Sequence, residues 1–254
     1  QHVQNLFLKQ LSIVNYRNLT GLDFNLDAKI NCFVGDNGVG KTNALDAIFY
    51  LAMGKSYTNN ITSQNIAHDA KFSMIEGAFD KLGKTLRIQC QMERDGKKTI
   101  KRNSKLYNKI ADHVGLIPVV IISPSDQDLI AEGSSTRRKF IDSTISQSDK
   151  KYLQNLIAYQ RVLNQRNALL KHFKKSNQFD KETILVYNEK LTQFGKPIYE
   201  TRKAFVSKFQ PLFQNRYQAI GGSNEKVTIK YQSKMDEKPL DELLAASLEK
   251  DRIL

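Results

Sequence analysis

The sequence predicts an α/β protein in two parts: a nucleotide-binding lobe over residues 1–125 and a largely helical lobe over residues 126–254. Three observations carry this prediction. Residues 33–54, FVGDNGVGKTNALDAIFYLAMG, set a glycine-rich loop between an apolar run and a helical pattern. Residues 72–109 alternate apolar and polar side chains, as an antiparallel meander does. From about residue 150 apolar residues recur every three or four positions over two long stretches, the period of packed helices.

The elements follow in order. LFLKQLSIV alternates loosely, and LDFNL places Leu22, Phe24 and Leu26 on one face; both read as strands. KINCFVG is an apolar run ending at a glycine, which predicts a buried strand leading into the loop. In NALDAIFYLAM, Ala44, Ala47, Ile48 and Leu51 share a helical face, and Gly54 is a natural C-terminal stop. In the meander the strongest strand is TLRIQCQM, with Leu86, Ile88, Cys90 and Met92 alternating, followed by a hairpin turn centred on Asp95-Gly96. PVVII is a short apolar strand candidate, and GSSTRRKFID predicts a helix capped by Ser134 or Ser135.

The helical part begins with residues 150–173, where Leu153, Leu156, Ile157, Leu163 and Leu170 define a face. SNQFDKE is a polar connection in which Asp180 caps a second long helix. That helix carries Ile184, Tyr187, Leu191, Phe194, Ile198, Phe205, Phe209 and Leu212, with Pro197 inside it as an expected kink. The short connection predicts an antiparallel hairpin. Gly221 to Asn224 break the helix, KVTIKYQ predicts a further strand, and PLDELLAASLEKDRIL a final helix.

Composition narrows the function classes. Two cysteines, Cys32 and Cys90, make no disulfide framework; their apolar contexts predict buried free thiols and fit a cytoplasmic setting. Four scattered histidines give no zinc spacing. The most apolar stretch, Val114 to Ile122, is too short to span a bilayer, so no membrane partner is expected. A net charge of +13 predicts a polyanionic partner, most simply nucleic acid.

Gly35, Gly40, Lys41 and Thr42 fit G-x-x-x-x-G-K-[ST], the phosphate-binding loop. The glycines let backbone N–H groups face a phosphate, and the following helix adds its positive end. Lys41 is expected to reach the β- and γ-phosphates of ATP, and the Thr42 hydroxyl to hold Mg²⁺. Asn37, Gly38 and Asn43 complete the loop. The form G-x-N-G-x-G-K-[ST] is the pattern of ATP-binding-cassette and SMC-like ATPases, and no guanine-reading NKxD motif accompanies it.

Such ATPases also need an acid directly after an apolar strand. PVVIISPSD ends in Asp126, but three residues including Pro124 intervene, so Asp126 is not the expected main metal acid. A signature loop of the SxGQ type is absent too. The sequence therefore predicts a nucleotide-binding half with no catalytic residue for hydrolysis within it.

Four segments in one order, NYRNL, FVGDNGVGKTNALDAIFYLAMGKSY, ISPSDQDLIAEGSSTRRKFID and YQRVLNQRNALLK, resemble the RecF family of bacterial DNA replication and repair proteins, over essentially the whole chain. The resemblance implies an SMC-type ATPase head: an incomplete first lobe with a mixed sheet, and a second lobe with a long antiparallel helix hairpin. It implies ATP and Mg²⁺ binding and ATP-dependent homodimerisation of the full-length protein. It further implies binding to DNA gaps or junctions, RecO- and RecR-type partners, and a place in recombination, gap repair and the SOS response. It also places the signature loop and metal acids in a C-terminal segment beyond EKDRIL, so the chain is expected to be the N-terminal part of a longer protein, weak or inactive in hydrolysis. Arg17 and Asn18 correspond to a loop near the nucleotide. Asp126 or Gln127 corresponds to a junction residue that senses the metal; a helix cap or plain loop is the alternative.

Basic residues crowd the meander hairpins, at Lys97, Lys98, Lys101, Arg102 and Lys105 with Arg94 and Lys109 nearby. Arg137 and Arg138 lie on the later helix, and Lys171, Lys174 and Lys175 near the end of the first long one. Such sets neutralise phosphates without reading bases, so sequence-independent DNA binding is expected. Ordinary solvated edge lysine is the structural alternative. Two other functions stay open: a P-loop kinase, which needs a substrate pocket the sequence does not reveal, and an ATP-gated binding module without turnover.

Overall fold

The structure, a computed structural model, describes residues 6–221 and 226–253. They form two compact units, Gln1–Ala131 and Glu132–Leu254, the division falling six residues beyond the expected 125/126 boundary.

The first unit is built on a six-stranded sheet. Its strands are β1 (Leu6–Tyr16), β2 (Leu19–Asn25), β3 (Phe72–Lys81), β4 (Lys84–Glu93), β5 (Lys98–Arg102) and β6 (Lys105–Leu106), in the order β2-β1-β3-β4-β5-β6. The expected mixed sheet is, among the described residues, antiparallel throughout. The meander follows from local turn chemistry. Leu82-Gly83 and Asn103-Ser104 both have two consecutive positive φ angles, the two-residue geometry whose twist matches paired strands. At the β4–β5 turn the Asp95 carboxylate accepts the Lys97 N–H at 2.9 Å, and Gly96 takes φ 90°.

One face of this sheet is the core. Leu11, Ile13, Ile75, Phe79, Leu86, Ile88, Cys90, Met92 and Ile100 are buried there. They pack under α1 (Lys41–Met53), which crosses β1, β3 and β4 and buries Ala44, Ala47, Tyr50 and Leu51. Each fully buried aliphatic side chain contributes about 1.5–3 kcal/mol. Gly77 lets the helix approach, since a Cβ there would stand 2.6 Å from the Leu51 side chain. Gly54 ends α1 in the left-handed conformation as expected, its N–H donating to the Tyr50 carbonyl.

Two predicted strands of this unit are not strands. Residues 29–35 and 118–122 belong to no strand of the sheet among the described residues, and Ile30, Val34, Val120 and Ile122 are between 79 and 91% exposed. Strand propensity is local, but a strand exists only where a second segment completes its ladder. Cys32, on the first of these segments, is accordingly an exposed free thiol rather than a buried one, whereas Cys90 is buried and free as expected. A short helix, α2 (Asp128–Ala131), closes the unit.

The second unit is helical: α3 (Ser134–Ser148), α4 (Lys150–Ser176), α5 (Lys181–Gly221) and α6 (Leu240–Ile253). The α3 cap is Gly133, with no side-chain bond; Ser134 and Ser135 lie inside the first turn. α4 and α5 form the expected antiparallel hairpin, with Tyr152 packed near Ile198 at one end and Arg166 bonded to Asn188 nearer the other. Asp180 caps α5 by accepting the Thr183 N–H at 3.1 Å. The α5 helix is unbroken through Pro197 and Pro211. The buried stripe of α4 is Tyr152, Val162, Arg166 and Leu170, so the predicted leucine face is rotated and Ile157 is 49% exposed. On α5, Ile184, Leu191 and Ile198 are buried, but Leu212 is exposed.

The remaining predicted strand, residues 226–232, is extended but lies against α5. Gln210 donates to the Val227 carbonyl at 3.1 Å and accepts from the Ile229 N–H at 2.5 Å, and Gln214 accepts from the Val227 N–H at 3.0 Å. Glutamine amides thus stand in for a neighbouring strand. Of the predicted break at Gly221 to Asn224, residues 222–224 lie outside the described residues.

Candidate nucleotide-binding site

The loop of residues 35–40 runs from the extended segment into the first turn of α1. Gly35, Gly38 and Gly40 have φ of 156°, 89° and 105°. Gly40 is required sterically as well: a Cβ there would stand 2.4 Å from Leu19 Cδ2 and 2.8 Å from Asn18 Oδ1. The Lys41 ammonium curls over the loop and donates to the carbonyls of Gly35 and Asp36, both at 2.7 Å. Thr42 is exposed at the start of α1, its hydroxyl in reach of solvent at the positive end of the helix.

The structure brings Arg17 and Asn18 to this loop. They form the β1–β2 turn, where Arg17 has φ 53°. Asn18 Nδ2 donates to the Gly38 carbonyl at 2.7 Å, and Asn43 Nδ2 donates to Asn18 Oδ1 at 2.7 Å. Arg17 Nη1 donates to Asn43 Oδ1 at 3.0 Å. A chain of three polar side chains therefore braces the back of the loop.

Behind that chain lies a residue the sequence reading missed. Asp46 is wholly buried on α1 and takes donors from four places. These are the Tyr16 hydroxyl at 2.6 Å, the Ser56 hydroxyl at 2.8 Å, the Tyr57 N–H at 2.7 Å and Arg17 Nη2 at 2.9 Å. Burial, then the Asp46 charge, pushes the Tyr16 phenol well above its ordinary range, so Tyr16 stays a donor. Arg17 also reaches Asn65, Ser56 and Thr58. The available signal was an acid set within the apolar pattern of NALDAIFYLAM.

Asp126 sits on a short turn, Pro124–Gln127, and accepts from the Ser123 N–H at 2.7 Å and the Tyr57 hydroxyl at 2.5 Å. It caps its own turn, as the structural alternative expected, and is also joined through Tyr57 to Asp46. Gln127 is exposed on the same turn. Among the described residues no three His, Cys, Asp or Glu side chains form a metal cluster.

The basic set is divided. Lys98 and Arg102 pair with Met92 and Ile88 and so point to the core side of the sheet at its edge, whereas Lys101 pairs with Gln89 on the opposite face. Lys105 lies opposite Arg102, and Lys97 is exposed in the turn. Burial, then nearby Lys55, lowers the Lys98 pKa. Arg94 is exposed and donates to the carbonyls of Ala67, His68 and Ala70. In the helical unit Arg137 donates to the Glu132 carbonyl, Arg138 to Ser134 Oγ, and Lys174 to the Ile253 carbonyl. Among the described residues no helix is long and apolar enough to cross a membrane.

Comparison with known proteins places the chain among relatives. A family model described as an AAA domain matches residues 10–250. The DNA replication and repair protein RecF of Flavobacterium johnsoniae is 52% identical over 249 residues, covering 98% of this chain and 69% of that protein. The same-named protein of Phocaeicola vulgatus is 43% identical over 250 residues, covering 98% and 67%. A solved structure of the recombination mediator protein RecF-ATP in the RecFOR pathway is 28% identical with a TM-score of 0.87, covering 99% of this chain and 70% of that one.

Proposed function

The chain belongs to the RecF family of DNA replication and repair proteins, and from that premise we propose that it binds ATP with Mg²⁺ at residues 35–43 and acts on DNA in recombinational gap repair. The carrying observation is the loop itself: Lys41 held over the Gly35 and Asp36 carbonyls, with Gly40 closed against Asn18 and Leu19. The arrangement fits a polyphosphate. Backbone N–H groups and the start of α1 supply positive potential, and Lys41 can exchange its two carbonyls for the stronger attraction of phosphate oxygens. The exposed Thr42 hydroxyl is the residue that would hold Mg²⁺, whose charge would offset that of the β- and γ-phosphates. The solved relative named with ATP supports the choice of nucleotide.

Asp46 is wholly buried and takes four donors, so it is held as part of the frame of the site, whereas Asp126 takes two, one on each oxygen. The proposal extends to nucleotide-dependent homodimerisation, RecO- and RecR-type partners and a cytoplasmic location. DNA contact is assigned to Lys97, Lys98, Lys101, Arg102 and Lys105 in the first unit and to Arg137 and Arg138 in the second, through phosphates and without base reading.

The test is ATP affinity of the Lys41→Ala variant. Loss of a charge-assisted contact of about 1.5–3 kcal/mol weakens binding roughly 10- to 100-fold. Unchanged affinity would overturn the nucleotide assignment. DNA affinity should fall steeply between low and high salt, and a flat salt dependence would remove the DNA assignment.

A further inference from the structure

Asp46 lies one helical turn beyond Thr42 and has no exposed surface. A buried carboxylate is costly unless fully hydrogen-bonded, and here four donors meet it. A helix that only needed to pack on the sheet would be served as well by an apolar side chain there. The carboxylate does more than pack, because two of its donors belong to residues that lead back to the site. Arg17 passes from Asp46 to Asn43, and Asn43 passes to Asn18, which holds the Gly38 carbonyl. Tyr57, fixed through its N–H, gives its hydroxyl to Asp126.

We propose that Asp46 is a positioning residue of the nucleotide site: it sets Arg17, and through Arg17 the Asn43–Asn18 brace on the Gly38 carbonyl, before nucleotide arrives. Arg17 is then a held strut, with its guanidinium spread over Asp46, Asn65, Ser56, Thr58 and Asn43. The proposal rests on the loop being the nucleotide site.

The experiment compares ATP affinity, by calorimetry, for the unaltered chain, Asp46→Asn, Arg17→Ala, the double variant and Lys41→Ala. Amide exchange of Gly38, Gly40 and Lys41 is measured in parallel without nucleotide. Asp46→Asn should weaken ATP binding about tenfold, the scale of one hydrogen bond to a charged group. The double variant should bind no more weakly than Arg17→Ala alone, and loop amides should exchange faster in every variant lacking Asp46 or Arg17. Losses that multiply in the double variant would overturn the proposal, since they would mean that Asp46 acts independently of Arg17. So would a folded Asp46→Asn chain that binds ATP normally. If Asp46→Asn does not fold, Arg17→Ala decides: loop amides protected as in the unaltered chain overturn the proposal. Unchanged affinity in Lys41→Ala would instead overturn the nucleotide reading, leaving amide exchange to judge the brace by itself.

Discussion

Arg202 on α5 grips Asp142 on α3 with two parallel hydrogen bonds, Nε to Oδ1 at 2.8 Å and Nη2 to Oδ2 at 2.7 Å. The Tyr152 hydroxyl donates to the same Asp142 Oδ1 at 2.5 Å. Both charged side chains are about 15% exposed, so the pair lies largely out of water where three helices meet. Asp142→Ala would leave a mostly buried guanidinium without its counter-charge. The expected cost is about 3–5 kcal/mol, read as a lower denaturation midpoint for the helical unit. Replacing both partners, Asp142→Leu with Arg202→Met, should recover most of that loss. A single variant as stable as the unaltered chain would show that the pair contributes nothing net.

The glycines of the loop are not equivalent, and the structure ranks them. Gly38 and Gly40 both have positive φ, so alanine at either is strained by about 1–3 kcal/mol. Nothing stands within 4 Å of a Cβ at Gly38, whereas at Gly40 it would collide with Leu19 and Asn18. Leu19 is itself only 4% exposed and has little room to retreat. Gly40→Ala should therefore weaken ATP binding more than Gly38→Ala and lower the melting temperature further. Calorimetry and thermal melts of the two variants check the order, and the reverse order would count against the brace behind Gly40.

Acid should weaken the first unit through His113. The ring is fully buried, with Nε2 bonded to the Leu51 carbonyl at 2.6 Å and, among the described residues, no partner for Nδ1. Burial, reinforced by Arg102 and opposed by the Leu51 bond, holds its pKa below the ordinary 6.5. Tyr107 stacks edge-on against the ring and offers it no counter-charge. The unfolded chain thus takes up a proton near pH 6.5 that the folded chain refuses. This contribution is complete above 6.5 and is lost as pH falls toward the lowered folded value, at no more than about 1.4 kcal/mol per pH unit. His113→Gln can keep the Leu51 bond without titrating, so the drop in melting temperature between pH 7 and 5.5 should shrink in that variant. An equal drop in both chains would exclude His113.

The parts of the fold that the sequence made legible are those specified by neighbours along the chain. The loop is contiguous from Gly35 to Asn43. The β3–β4 hairpin carries its own alternation and its own turn. Asp46 was not legible because its donors come from residues 16, 17, 56 and 57, which only the folded sheet gathers around α1. The buried face of α4 departs from its leucine pattern because Arg166 belongs to it. Yet Arg166 is 2% exposed, paired with Asp251 at 2.9 Å and Asn188 at 2.8 Å, and occupies the centre of the buried stripe. Asn188 and Asp251, on other helices and remote in sequence, take up its Nε and Nη1 and so admit the charge to the core.

Residues 226–232 show the same limit and carry the last prediction. Val227, Ile229 and Tyr231 alternate as a strand should, but the backbone groups at 227 and 229 are met by the side chains of Gln210 and Gln214, one turn apart on α5. The spacing of four residues sets both amides on one side of the helix, in line with alternate residues of an extended chain. Tyr231 adds a ring contact with Tyr199, centroids 6.0 Å apart. Because each Gln210 bond to these half-buried backbone groups is worth only about 1 kcal/mol, the attachment should be separable from the fold. Gln210→Leu keeps the helix and removes a donor and an acceptor together. The Ile229 amide should then exchange faster by about tenfold relative to the unaltered chain, with the α4–α5 amides unchanged. Equal exchange at Ile229 in both chains would mean that packing, not the glutamine ladder, holds this segment to the helix.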